Sequence, residues 1–316
     1  MIRNVCIVGA GAIGSLFAAH LAQVTEVFAF VRRSEHADAL NRYGLRVSGR
    51  HAFQTNLTAT TIPEELPDFD LGIVSTKATQ TEAAFAPVRK HFDNGCIISA
   101  QNGLGSEEVL AHLTPGQIIR GTTFMSGTKH SDTHVQYELN TATWLGPFEP
   151  SKTPYSKVQE AADLINKAGL RAEALEDARP AQWSKLIFNA SVNAVAALTG
   201  LPHCPLFSHE ETPHDLGHLL RALLEEGKSV AAAAGVELHE DPVEMNQLGS
   251  QTNHPPSMLY DIRNQLKTEV EFLGGAIARE AQRLGVSAPL HTTLFQLVKA
   301  KENSWTWTDE NKDQRE

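Results

Sequence analysis

Three features of the sequence predict an α/β Rossmann-type N-terminal domain followed by an all-α C-terminal domain. An apolar run at residues 5–8 breaks into Gly9, Gly11 and Gly14 and opens into a helix-forming stretch at residues 12–22. Short apolar runs then alternate with helical patterns as far as residue 175, the signature of a parallel sheet with crossover helices. Beyond residue 180 every long segment reads as helix. At 316 residues the chain exceeds one typical core, and the change of pattern sets the domains at 1–178 and 179–316.

The first element is the most informative. In Gly9-x-Gly11-x-x-Gly14, Gly9 permits a tight strand-to-helix turn, Gly11 lets a pyrophosphate approach the backbone, and Gly14 lets helix and strand pack closely. The N-terminal amides of the following helix, at Ala12, Ile13 and Gly14, then face the phosphates. Because a second apolar run, residues 27–31, completes a βαβ unit, the motif predicts a dinucleotide site rather than an incidental glycine-rich turn. That second strand ends in Arg32-Arg33 instead of an acidic residue, which suits the 2′-phosphate of NADP(H).

Residues 35–43 read as helix, and residues 45–47 and 53–58 as short strands inserted in the sheet order. Residues 69–75 form the next core strand, ending in Thr76-Lys77-Ala78, and a helix is expected over 79–91. The strand at 96–100 ends in Gln101-Asn102-Gly103. Lys77 and Asn102 therefore fall at carboxyl ends of parallel strands, where open α/β sheets bind ligands, and both are cofactor-binding candidates. Residues 118–148 alternate as strands with turns at Ser131-Asp132 and Gly146-Pro147; a helix at 155–168 and a strand at 171–175 complete the domain. The boundary is expected within 176–180, and residues 302–316, polar with Trp305 and Trp307 embedded, read as a frayed tail.

In the second half, residues 181–198 are nearly all apolar except Lys185, Asn189 and Asn193. Spaced i, i+4, i+8, these make one polar stripe along a helix. Either the stripe is solvated or it lines a polar cavity, where a partly desolvated Lys185 is suited to act as a general acid. A second segment begins at Ser257-Met258-Leu259-Tyr260-Asp261 and continues as helix to residue 284, with Ile262, Leu266, Leu273 and Ile277 on its buried face. Glu269 borders that face, as a carboxylate set against it or one that reaches water. Asp261 and Arg263 read as ordinary helix-end charges.

The ordered set of GxGxxG, Thr-Lys-Ala, Gln-Asn-Gly, Trp-x-Lys-Leu-x-x-Asn-x-x-x-Asn and Ser-Met-Leu-x-Asp resembles the ketopantoate reductase family over essentially the whole chain. The resemblance implies NADPH and a small 2-keto acid meeting between the two domains; because catalysis needs Lys77 with Asn102 and Lys185 with Glu269 within reach of one substrate, the domains are expected to close on the ternary complex. It implies Lys185 as proton donor, Glu269 holding the substrate hydroxyl, Asn189, Asn193 and Ser257 binding substrate, and Lys77 and Asn102 near the nicotinamide ribose. The chain departs from the family's pattern at Gly274-Gly275, and residues 121–126 do not match it. Two alternatives stand beside reduction of 2-dehydropantoate: a D-2-hydroxyacid dehydrogenase of the same family acting on another 2-keto acid, and a non-catalytic NADP-binding sensor.

A net charge of −10 without a long basic run argues against nucleic acid as a partner. No apolar run approaches the length of a membrane span, the first strand begins at once, and three scattered cysteines lack any CxxC spacing, so a cytoplasmic, membrane-free protein is expected. The apolar helices of the second half favour a homodimer over a monomer. His214 and His218 stand i, i+4, yet spacing fixes no third ligand, and no metal is expected.

Overall fold

The computed structural model describes residues 2–307. The chain divides into two compact units, Met1–Arg179 and Pro180–Glu316. In order, the first contains β1 (Asn4–Val8), α1 (Ala12–Leu21), β2 (Glu26–Phe30), α2 (Ser34–Tyr43), β3 (Leu45–Gly49), β4 (Phe53–Thr55), β5 (Thr58–Thr60), β6 (Leu71–Val74) and α3 (Thr81–Phe85). It continues with β7 (Cys96–Ser99), α4 (Ser106–Leu113), β8 (Gln117–Thr123), β9 (Ser126–Ser131), β10 (His134–Leu139), β11 (Thr143–Pro147), α5 (Tyr155–Lys167) and β12 (Ala172–Ala174).

Eight strands form one sheet in the order β12-β11-β8-β7-β6-β1-β2-β5, parallel throughout except where β11 meets β8. The order reverses at β1, which places the switch point of this doubly wound sheet between the carboxyl ends of β1 and β6. Strand β1 is apolar at every core position because both its faces are covered. Its period of two sends Val5 and Ile7 into one core with Leu16, Phe17 and Ile165, and Cys6 and Val8 into the other with Phe85, Val88 and Leu110. The inserted strands build a second sheet, β4-β3-β10-β9, in which β3 and β10 run parallel.

The second unit is helical: α6 (Arg179–Thr199), α7 (Leu216–Ala233), α8 (Pro242–Gly249), α9 (Ser257–Arg263), α10 (Gly274–Leu284) and α11 (Pro289–Ser304). Val192, Val195, Phe207, Leu220, Leu223 and Leu259 centre its core. No helix among the described residues is long and apolar enough to cross a membrane.

Four local expectations need correction. The helix expected over 79–91 is broken into a 3₁₀ turn at Ala78–Gln80, α3, and a 3₁₀ turn at Arg89–Phe92; Pro87 lacks an amide hydrogen and crowds the preceding turn. Gly146 and Pro147 are not a turn but lie in β11, where a Cβ on Gly146 would sit 2.7 Å from Ala178. The long helix expected from 257 to 284 is interrupted: Gln265 takes φ 52, Leu266 is 44% exposed instead of buried, and Glu269 lies in the connection between α9 and α10. Residues 302–304 are not tail but the last turn of α11, and Glu302 is 3% exposed; Trp305 is half-buried, Trp307 exposed, and the rest of the expected tail lies outside the described residues.

Candidate active site

In the first unit the candidate residues gather at the switch point. Gly9 has φ +93, and a Cβ there would lie 2.5 Å from Thr76 Cγ2. A Cβ on Gly14 would meet the Gly9 carbonyl oxygen at 2.1 Å, so both positions are closed to larger residues by the packing of the turn. Gly11 differs, for nothing lies within 4 Å of the space its side chain would fill. It is also the N-cap of α1 and carries no side-chain cap, so the open space beside Gly11 lies at the start of that ten-residue helix, whose first amides, at Ala12, Ile13 and Gly14, have no partner within the helix. This combination of an uncapped helix start, open space and close turn packing fits a pyrophosphate.

The neighbouring strand tips are fastened to this turn. The Ser75 hydroxyl donates to the Gly9 carbonyl oxygen at 2.7 Å. The Gln101 amide, 6% exposed, donates to the Thr76 carbonyl oxygen (3.0 Å) and to the Thr81 hydroxyl (2.8 Å). Gln101 thereby fixes the segment carrying Lys77 against the one carrying Asn102, and both of these residues are half-buried beside it. Gln101 is a positioning residue not expected from the sequence, where its place beside Asn102 at a strand end is the available signal. At the end of β2, Arg32 is exposed and Arg33 donates to Asp132 Oδ1 at 2.6 Å. The acid that the sequence does not place after β2 thus arrives from another strand pair.

In the second unit the polar stripe of α6 meets α9 and the connection that follows it. Asn193, 5% exposed, has both ends of its amide engaged: Nδ2 donates to Asn189 Oδ1 at 3.3 Å, and Oδ1 accepts from the Met258 amide at 3.2 Å and the Ser257 hydroxyl at 3.4 Å. Asn193 therefore caps α9 and orients Asn189, whose remaining function is its NH₂, a donor suited to a carboxylate. Lys185 is partly buried, and loss of solvation lowers its amine to about 8 while the charge of Glu269 pulls the other way. Glu269 follows Thr268, whose amide and hydroxyl both donate to Glu302 Oε1, at 2.9 and 2.6 Å. Asp261, expected as an ordinary helix-end charge, is 5% exposed within α9.

The histidine-rich segment does not converge. His203 is buried against Asn246 at 2.9 Å, and His218 faces Glu210 at 3.6 Å. His214 precedes Asp215, the N-cap of α7, so it does not share a helix face with His218. Among the described residues no group of three His, Cys, Asp or Glu is placed to hold a metal.

Comparison with known proteins gives these geometries a chemistry. Residues 5–150 match the family model "Ketopantoate reductase PanE/ApbA", and residues 177–302 match its C-terminal counterpart. The chain is 31% identical over 303 residues to the 2-dehydropantoate 2-reductase of Archaeoglobus fulgidus, covering 96% of this chain and 99% of that one. A PanE/ApbA family ketopantoate reductase from Ralstonia eutropha JMP134 superposes with TM-score 0.85 at 26% identity, over 96% of this chain and 99% of the other. A ternary structure of D-mandelate dehydrogenase with NADH and anilino(oxo)acetate shares the fold, with TM-score 0.85 at 24% identity over 96% and 99%.

A nucleotide-type sheet with an open glycine turn, joined in one chain to a helical unit like these, defines a pyridine-nucleotide-dependent oxidoreductase. The chain belongs to the ketopantoate reductase family.

Proposed function

We propose that the protein reduces 2-dehydropantoate to pantoate with NADPH. The observation that carries this reading is Lys185, lowered to about 8 and subject to the charge of Glu269, on a helix that also bears Asn189 and Asn193. A lysine in that state still holds its proton at neutral pH yet gives it up more readily than a solvated one, which suits a general acid. The 31% identity to a relative named 2-dehydropantoate 2-reductase supports the substrate.

In this reading residues 1–178 bind the dinucleotide and residues 179–316 hold the 2-keto acid and deliver the acid. Bound NADPH supplies the hydride that forms the new carbon–hydrogen bond. The amides of Ala12, Ile13 and Gly14 hold the pyrophosphate, Arg32 lies toward the 2′-phosphate, and Lys77 and Asn102 hold the nicotinamide ribose. Asn189 and Ser257 orient the carboxylate. Lys185 stabilises the negative charge that grows on the carbonyl oxygen and transfers its proton there, leaving an alcohol and a neutral amine. Glu269 accepts a hydrogen bond from the substrate's own hydroxyl and favours the protonated form of Lys185. Buried, free Cys6, Cys96 and Cys204 are in keeping with work in the cytoplasm, and exposed Leu206 and Leu248 offer a homodimer apolar surface on the helical unit.

A pH profile and a substrate panel test this. Because the acid must be protonated, kcat/KM for reduction should be flat below about 8 and fall about tenfold per pH unit above it, while oxidation of the alcohol rises over the same range. A reduction rate indifferent to pH between 7 and 9.5 would remove Lys185 from the proton transfer. Across ketopantoate, 2-ketoisovalerate and benzoylformate, ketopantoate should have the highest kcat/KM, since the other two lack the hydroxyl that Glu269 is proposed to bind. The fold shared with D-mandelate dehydrogenase makes benzoylformate the informative competitor. Preference for it would replace the pantoate reading with that of a D-2-hydroxyacid dehydrogenase.

A further inference from the structure

A charge cluster joins the glycine turn to the end of β2, and the proposed mechanism does not use it. Lys129, half-buried on β9, donates from Nζ to the carbonyl oxygen of Ala10 at 2.6 Å. The same ammonium lies 3.1 Å from His36 Nε2 and 3.7 Å from Asp132 Oδ1. Asp132 stands at the tip of the β9–β10 hairpin, and its Oδ1 also accepts from Arg33 Nη2 at 2.6 Å. His36, on α2, places Nδ1 3.9 Å from that oxygen and Nε2 3.1 Å from the Asp132 carbonyl oxygen. One carboxylate thus gathers a guanidinium, an ammonium and an imidazole.

The location gives the cluster its meaning. Ala10 is in the glycine turn and Arg33 follows β2, and the adenosine ribose of a dinucleotide lies between these two points in a doubly wound sheet. A carboxylate set against an arginine and a lysine there offers the same negative, acceptor-only face as a ribose 2′-phosphate. We propose that Asp132 occupies the 2′-phosphate seat made by Arg33 and Lys129, so that Lys129 favours NADPH and Asp132 opposes it. The inference rests on the dinucleotide reading above and adds two specificity-determining residues, both from the inserted sheet. Partial burial would raise the Asp132 carboxyl, but Arg33, His36 and Lys129 hold it below the usual carboxylate range, so the competitor is fully charged at neutral pH. Burial lowers the Lys129 amine, with Asp132 acting in the opposite direction, which ties the ammonium's charge to having an anion beside it.

The test is calorimetric titration of the full chain and of its Asp132→Asn and Lys129→Met variants with NADPH and with NADH. Asp132→Asn should tighten NADPH by about tenfold or more with NADH nearly unchanged, and Lys129→Met should weaken NADPH by a similar factor, the scale of a charge-assisted contact. NADPH affinity unaltered by Asp132→Asn overturns the proposal. So does a Lys129→Met variant that loses NADH and NADPH equally, the mark of a residue that only supports the turn through Ala10. Native chain that prefers NADH would defeat the NADPH assignment, yet a gain confined to NADPH in Asp132→Asn would still uphold the competition proposed here.

Discussion

Replacing Lys185 with alanine should lower kcat for reduction by about 10²–10⁴-fold while leaving dinucleotide affinity unchanged, the range for losing a positioned general acid. The expectation follows from placement. Lys185 belongs to the helical unit and the glycine turn to the other, and the lysine's amine is already lowered to about 8 by burial. Alanine removes the charge that would meet the developing alkoxide, and no second lysine or histidine lies on the α6 stripe to replace it. Stopped-flow measurement of the first turnover separates this from slowed product release. Partial recovery with added methylammonium would identify the lost group as the proton donor, whereas near-native kcat in the variant would sink the mechanism.

The second large effect is structural in origin. Glu302→Ala should destabilise the helical unit by about 2–4 kcal/mol, because it leaves the Thr268 amide and hydroxyl without their buried acceptor, at roughly 1–3 kcal/mol for each such group. Burial alone would raise the Glu302 carboxyl, but hydrogen bonds from Thr268 and Lys267 bring it below its ordinary value. Its contribution is therefore present above the unfolded carboxylate pKa and lost as pH falls through the lower, folded one. The same change frees the connection that carries Glu269, so KM for a hydroxylated keto acid should rise along with the loss in denaturant midpoint. Glu302→Gln retains an acceptor for Thr268 and should recover most of both. Unchanged stability in Glu302→Ala would show that this link does not hold the connection.

These two residues mark what the sequence makes legible. The stripe of Lys185, Asn189 and Asn193 is visible because one helix carries it, and helical spacing is a local property. The glycine turn is visible for the same reason: strand, turn and helix start lie within about a dozen consecutive residues. Glu302 is invisible because its partner Thr268 is 34 residues away, and a charged residue near the end of a polar stretch looks solvated. Asp132 is hidden likewise, reading as a turn residue until the hairpin brings it across 99 residues to Arg33. The connection bearing Glu269 misleads in another way. Its leucines continue a helical period, and only tertiary packing shows that Gln265 leaves the helix and Leu266 faces solvent. Pro87, by contrast, was a readable sign that the helix after β6 could not run to residue 91.

The margins of the eight-stranded sheet have a consequence for how copies of this protein behave at high concentration. Its outermost strands, β12 and β5, are each three residues long, as is β4 at one margin of the smaller sheet. The remaining margin, β9, is longer but mostly polar, with Lys129 and His130 along it. Three residues offer too few unpaired amides and carbonyls to template a foreign strand, and a charged, polar margin discourages it further. A chain whose apolar runs would be aggregation-prone as bare strands therefore keeps them in the middle of the sheet, where every neighbour is already its own.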